Sequence, residues 1–263
     1  MILISADNNS TVKIDKGELV SFLKNEEELI HQKGQPGWRN SDTEMFPVIG
    51  PTEANDFMVA TQKGKAIQDQ HGLLRELTYN LLEKGDNFAI FQKEYAANKL
   101  IKNSKFPEKS SIEKLHWPYD FRFTKLYELS NESLKITFEI EAEKGMPFML
   151  GYHPAFKLFG HKTEICKTKN EEVTLQKIMA GGSTAYPVLN TQEIKLIKNT
   201  GFNISIKTKG FNNFMLWTEV SNMLCIEPIT AYPYSEDEPP LSKKLFSISI
   251  GKDLFEVVIK PYK

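Results

Sequence analysis

Apolar and polar residues alternate with a period of two along much of this chain. The clearest run is Ser133 to Glu143. There Leu134, Ile136, Phe138, Ile140 and Ala142 share one face, and Lys135, Thr137, Glu139 and Glu141 share the other. That spacing predicts a half-buried strand with one wet face. Phe202, Ile204 and Ile206 repeat it, as do Phe246, Ile248 and Ile250 with Ser247 and Ser249 between them, and Phe255, Val257 and Ile259 near the end. Phe121, Phe123, Tyr127 and Leu129 form a weaker version in which Lys125 breaks the apolar set. Helical periodicity is scarce. Ser110 to His116 predicts at most a turn or two before Trp117-Pro118. Turn residues recur at Lys84-Gly85-Asp86-Asn87, Ser130-Asn131-Glu132, Gly181-Gly182-Ser183 and Asn199-Thr200-Gly201. Many strands separated by such turns predict antiparallel sheets, packed as a sandwich or closed as a barrel.

The chain has 263 residues, within the range of one large β-sandwich or barrel. No Pro/Gly/Ser linker and no internal repeat divides it, so residues 1–263 read as a single domain. Ser235-Glu236-Asp237-Glu238-Pro239-Pro240 reads as an exposed acidic loop. Hydrophobic residues make up 40% and charged residues 25%, which predicts a packed core rather than disorder. The formal net charge is −1, which gives no electrostatic case for nucleic acid or an anionic membrane as a partner. Two cysteines, Cys166 and Cys225, are too few for a disulfide framework and fit free thiols in a reducing compartment. The start, Met1 to Asp7, has neither a basic segment nor a sustained apolar one. With no run of about 20 apolar residues, a cytoplasmic protein is the expectation.

Candidate chemistry concentrates in a few segments. In Gly151-Tyr152-His153-Pro154-Ala155-Phe156 and Cys225-Ile226-Glu227-Pro228, one titratable side chain stands directly before a proline. The residue before proline is pushed into extended backbone, and proline donates nothing to a strand ladder. Both side chains are therefore expected where strand pairing lapses. Histidine titrates near pH ~6.5 and can act as an acid near neutrality; the glutamate can act as a base. If Leu224 and Ile226 face the core, Glu227 shares the other face with Cys225. His153 read alone is equally a buried histidine satisfied by a carbonyl, and Glu227 an edge residue facing water. His71 lies in Gln70-His71-Gly72, followed by Arg75, and Arg39 follows Trp38. A guanidinium donates to hydroxyls, and an aromatic face covers apolar sugar surface. Trp217 precedes the Glu227 segment and reads as core or as a ligand platform. The other histidines, His31, His116 and His161, lack comparable context, and no sequence-local spacing supports a metal site.

Taken together, four stretches resemble the aldose 1-epimerase (galactose mutarotase-like) family, in particular its bacterial LacX-like branch. They are Trp38-Arg39 leading to Phe46-Pro47-Val48-Ile49-Gly50, Gln70-His71-Gly72 with Arg75, Gly151 to Phe156, and Cys225 to Pro228. The resemblance implies an all-β fold: a large antiparallel β-sandwich, the galactose mutarotase-like supersandwich, with little helix. It implies a mutarotase that interconverts α and β anomers of an aldohexose or related sugar. His153 matches the histidine that protonates the ring oxygen, and Glu227 the glutamate that takes the anomeric hydroxyl proton. Arg39 and His71 match sugar-binding residues, Arg75 belongs to the branch pattern, and Trp217 is a further candidate for sugar contact. No metal and no cofactor is implied; the partner is a small-molecule sugar, and monomer and homodimer both remain open. Two departures stand out. Tyr152 precedes the His-Pro pair and Ala155-Phe156 follow it, where galactose mutarotases have Asn before and Tyr-Phe after. Their sugar-binding aspartate also has no counterpart near Trp217, where Glu219 stands. The mechanism requires Glu227 ionised and His153 charged at one pH, and a nearby carboxylate would raise the imidazole's pKa. The acid limb of the pH profile is then assigned to Glu227 and the basic limb to His153. A non-catalytic sugar-binding protein on the same scaffold is the alternative. Glycoside cleavage ranks last, because retaining hydrolysis usually needs two spaced carboxylates.

Overall fold

The computed structural model describes residues 1–38, 42–234 and 241–263. Two antiparallel sheets dominate. The larger has nine strands in the order Glu172–Thr174, Ile165–Lys167, Glu193–Ile197, Asn203–Lys209, Lys252–Tyr262, Leu134–Ala142, Phe121–Leu129, Phe88–Tyr95 and Asn80–Lys84. The smaller runs Tyr186–Val188, Asn213–Trp217, Met223–Ile229, Gly151–Tyr152 and Glu44–Met45, with Ala155–Lys157 also paired to Met223–Ile229. The predicted all-β architecture of large antiparallel sheets holds. Among the described residues, no helix is long and apolar enough to cross a membrane.

Alternation explains the core. Leu134, Ile136, Phe138 and Ile140 are buried along the central strand, whose register runs from Leu134 opposite Leu129 to Ala142 opposite Phe121. Phe255, Val257 and Ile259 extend the same inward face on the next strand. Opposite them, the small sheet turns in Tyr152, Phe156, Phe214, Leu216, Leu224 and Ile226. Phe138 joins the two layers: its ring centroid lies 5.2 Å from Tyr152, 6.0 Å from Phe123 and 6.2 Å from Phe211.

Two expectations need correction. Ser110–His116 forms no helix; Lys114–Leu115 is a short strand paired with Ile101–Lys102, and His116 exchanges backbone hydrogen bonds with Ile67. The fully buried Trp117 anchors that segment as extended chain. The α-helix, Leu175–Met179, is a short turn capped by the Thr174 side chain, which accepts from the Lys177 amide. In the Phe246–Ile250 run the alternation is inverted, with Ile248 and Ile250 54% and 71% exposed and Ser249 buried. Ser249 turns inward because its hydroxyl donates to Asp253 at 2.6 Å and its backbone pairs with Gly145 and Met146. Both cysteines are buried and free. The acidic segment Ser235–Pro240 lies outside the described residues.

Because Phe138 is fully buried between the layers, Phe138→Ala should lower stability by about 3–5 kcal/mol. Urea unfolding checks this, and a loss under about 1 kcal/mol would show that the two sheets do not depend on that ring.

Candidate functional site

The site arises from the register of the small sheet. Gly151 pairs with Ile229 and Ala155 pairs with Cys225, both against the Met223–Ile229 strand. Between these points His153 falls opposite Glu227, and directly opposed residues in an antiparallel pair point to the same face. Pro154 and Pro228 lack amide hydrogens, so the ladder lapses there. The His153 amide turns to the other side and donates to the Thr43 carbonyl at 2.9 Å. His153 thus sits at the lapse the sequence predicts. Glu227 does not: its strand is continuous and buried, and on its far side Glu227 pairs with Met215 and Pro228 with Phe214. His153 Nε2 lies 3.3 Å from Glu227 Oε1, with the side chains 13% and 2% exposed. Leu224 and Ile226 face the main core, and Cys225 lies in a separate cluster with Trp38, Ala155 and Met223.

Two tryptophans and a second histidine surround His153. The Trp38 centroid is 5.5 Å from that of His153, Trp217 is at 6.4 Å edge-on, and His71 is at 5.7 Å edge-on. Gly72 fixes where His71 sits. Its φ of +70° suits glycine, and a Cβ there would lie 2.1 Å from the Phe46 carbonyl oxygen. Arg75, on the Leu74–Glu76 turn, donates from its NH1 nitrogen to His71 Nδ1 at 2.8 Å. Arginine has no acceptor, so neutral His71 keeps its proton on Nε2. Arg39 lies outside the described residues, and Glu219 is exposed. Tyr234 was not singled out by the sequence reading. It packs against the small apolar cluster that includes Met215 and Ile229, and burial followed by the Glu227 charge pushes its phenol up to about 12. An aromatic pair, Tyr232-Pro233-Tyr234, shortly after the Glu227 strand was the available signal.

With this geometry in hand, comparison with known proteins is informative. The family model for aldose 1-epimerase matches residues 58–224. The chain belongs to that family. The chromosomal and plasmid LacX proteins of Lactococcus lactis subsp. lactis are each 26% identical over 148 residues, or 53% of this chain and 44% of theirs. The match therefore spans less than half the length of these curated relatives. A galactose mutarotase-like protein from Lactobacillus casei superposes with a TM-score of 0.80 at 16% identity, covering 100% of both chains. A galactose mutarotase related enzyme from Lactobacillus acidophilus gives 0.74 at 16% identity, covering 100% of this chain and 98% of its own. At such identities these likenesses show the fold.

In this member of the aldose 1-epimerase family, burial controls the electrostatics. It pushes the Glu227 carboxyl well above the usual range and the Cys225 thiol well up. It pulls His153 down to about 4, with the Arg75 charge adding to the effect. His71 is held well below its ordinary value by burial, then by His153, Arg75 and Lys105. The expectation that the carboxylate would raise His153 is overturned, because desolvation of the buried imidazolium dominates. Burial thus favours the proton on Glu227 over His153. Among the described residues, His153, Cys225 and Glu227 each place a ligating atom within 4.8 Å of the others. Two of the three would have to shed protons that burial retains before gripping a cation, so the group suits proton transfer better.

A carboxyl with a raised folded pKa loses stability as pH climbs from the unfolded value, ~4.3, through the folded one. Glu227→Gln escapes that loss. Its melting temperature should match wild type near pH 4 and exceed it increasingly above. A constant difference across that range would contradict the buried, protonated carboxyl.

Proposed function

We propose that this chain is a mutarotase: it opens and recloses an aldose ring between its α and β anomers, with Glu227 and His153 as the acid–base pair. The observation that carries the reading is the 3.3 Å approach of His153 Nε2 to Glu227 Oε1 on one sheet face. In the reactive form the shared proton resides on His153. Glu227 then removes the anomeric hydroxyl proton while His153 protonates the ring oxygen, and the C1–O5 bond breaks. Rotation about C1–C2 presents the other carbonyl face, and reversal of both transfers closes the ring. His71 offers its Nε2–H to a sugar oxygen and Arg75 fixes that tautomer. Trp38 and Trp217 flank His153 with apolar surface for a pyranose face. Arg39 remains a candidate sugar-binding residue on the motif alone.

Polarimetry of freshly dissolved α-D-glucose and α-D-galactose tests the activity. Wild type should speed the approach to anomeric equilibrium, and folded His153→Ala and Glu227→Gln should each lose about 10²–10⁴-fold. Folded wild type without acceleration would reject these hexoses as substrates. Sugar binding that survives Glu227→Gln, with no anomer exchange in wild type, would instead identify a sugar-binding protein.

The pKa directions fix the pH dependence. Below about 4 the pair takes a second proton, on His153, and Glu227 has no free base to offer. Above the raised Glu227 value the pair has lost its last proton, and His153 has none to donate. The rate should be bell-shaped, its acid limb near 4 reporting His153 and its basic limb Glu227. This reverses the simple assignment of the limbs. These are properties of the pair, and a rate that keeps rising with pH through both limbs would rule the mechanism out.

A further inference from the structure

Lys125 is the residue that breaks the apolar alternation of its strand, yet its side chain has no exposed area. Its Nζ lies 2.7 Å from Asp42 Oδ2 and 2.6 Å from Glu44 Oε1, and both carboxylates are 2% exposed. The rings of Tyr127, Tyr152, Phe138 and Tyr79 stand 5.0, 5.1, 5.8 and 5.9 Å from the ammonium. Asp42 also accepts from the Leu19 amide and from the Tyr127 hydroxyl. Lys93, likewise buried, adds a second positive charge beside Glu44 and donates to the Leu74 carbonyl at 2.9 Å. Desolvating such ions costs several kcal/mol each, and well-packed apolar replacements are often as stable or more so. Stability alone is therefore a weak reason for this cluster.

Its location supplies a better one. Glu44–Met45 is a two-residue strand at the end of the small sheet's path, with Glu44 opposite Tyr152 and Met45 opposite Gly151. So short an edge strand has little pairing of its own to hold it. Thr43, between the two anchored acids, carries the carbonyl that receives the His153 amide. Pro154 removes an amide from the opposite ladder, so Thr43 is a principal backbone tether of His153. Asp42 and Glu44 fix this tether from both sides, and Lys125 fixes them.

We propose that Lys125 is a positioning residue: the buried Lys125–Asp42–Glu44 cluster locks the edge segment that holds His153 at its working distance from Glu227. The catalytic part of this inference rests on the mutarotase reading. Misplacement by about 1 Å can cost about 10²-fold in rate.

The test is the isosteric, uncharged triple variant Asp42→Asn/Glu44→Gln/Lys125→Met in the full chain. It should fold with a lowered melting temperature, because buried Lys93 loses the charge of Glu44. Its kcat should fall at least about tenfold with KM little changed, as expected when reacting groups are misplaced. The imidazole NMR signals of His153 should shift. Lys198→Met/Glu27→Gln serves as control, removing a pair at 3.3 Å that links the Glu27–Glu28 strand to the end of Glu193–Ile197. There kcat and the His153 signals should be unchanged. If the triple variant does not fold, Glu44→Gln alone should show the same changes to a smaller degree. A folded variant with wild-type kcat and unshifted His153 signals would overturn the proposal. Wild type inactive on every aldose would defeat the mutarotase reading, and the His153 signals would still decide whether the cluster positions that ring.

Discussion

Everything in this site depends on one register: the pairing that puts His153 across from Glu227 in the small sheet. Strand pairing is directional and periodic, so a slip of one residue would turn one of the two side chains to the opposite face. The flanking pairs, Gly151 with Ile229 and Ala155 with Cys225, prevent that slip. The prolines remove ladder hydrogen bonds at the point between them. The backbone there is released from regular pairing while its position stays fixed on both sides. The consequence is a lapse in the pairing of the His153 segment, with an imidazole and a carboxyl side by side on one face of the sheet.

The same sheet carries buried polar chemistry on both of its faces. On one, the His153–Glu227 pair sits among Trp38, Trp217, Cys225 and Met215. On the other, Tyr152 and Glu44 lead into the charged cluster around Lys125 within the main core. Alternation makes these neighbours unavoidable. Tyr152 and His153 are consecutive and point to opposite faces, so any force that fixes Tyr152 and its partner Glu44 bears directly on the His153 backbone. A core substitution on this strand is therefore also a substitution behind the site.

Much of the fold was legible because strand alternation is a local signal. Leu134, Ile136, Phe138 and Ile140, and likewise Phe255, Val257 and Ile259, are buried as their spacing predicts, with Ala142 partly exposed where its strand ends. The run at Phe246–Ile250 misleads, because local spacing shows which residues share a face but not which face meets the core. Lys125 misleads in the opposite direction: a charge in the pattern reads as weakening the strand, while its two carboxylate partners lie about eighty residues earlier and no local window reveals them. The candidate pair was legible because His-Pro and Glu-Pro are unusual local contexts. Its protonation was not, because that depends on burial, which appears only when distant strands close over the site. Tyr234 was passed over for the related reason that its approach to Glu227 depends on how the chain turns after the strand.

The protonation pattern also bears on the direction of the proposed reaction. Burial favours a protonated Glu227 and a neutral His153. That is the state in which ring opening would leave the two residues, since Glu227 has by then taken the anomeric proton and His153 has released its own. The proposed reaction of a cyclic sugar needs the charged form of the pair, reached when the shared proton moves from Glu227 to His153, and burial disfavours that form. Opening the ring discharges both residues, so desolvation favours the path toward the open aldehyde over the resting cyclic complex. Catalysis of this kind depends on interactions that improve as the reaction advances. In the proposed reaction burial would supply one without a fixed charge: once the shared proton has moved to His153, the low polarity favours its onward transfer to the ring oxygen. Closure to either anomer must reverse that transfer, so the open form is favoured only modestly if both anomers are to be released.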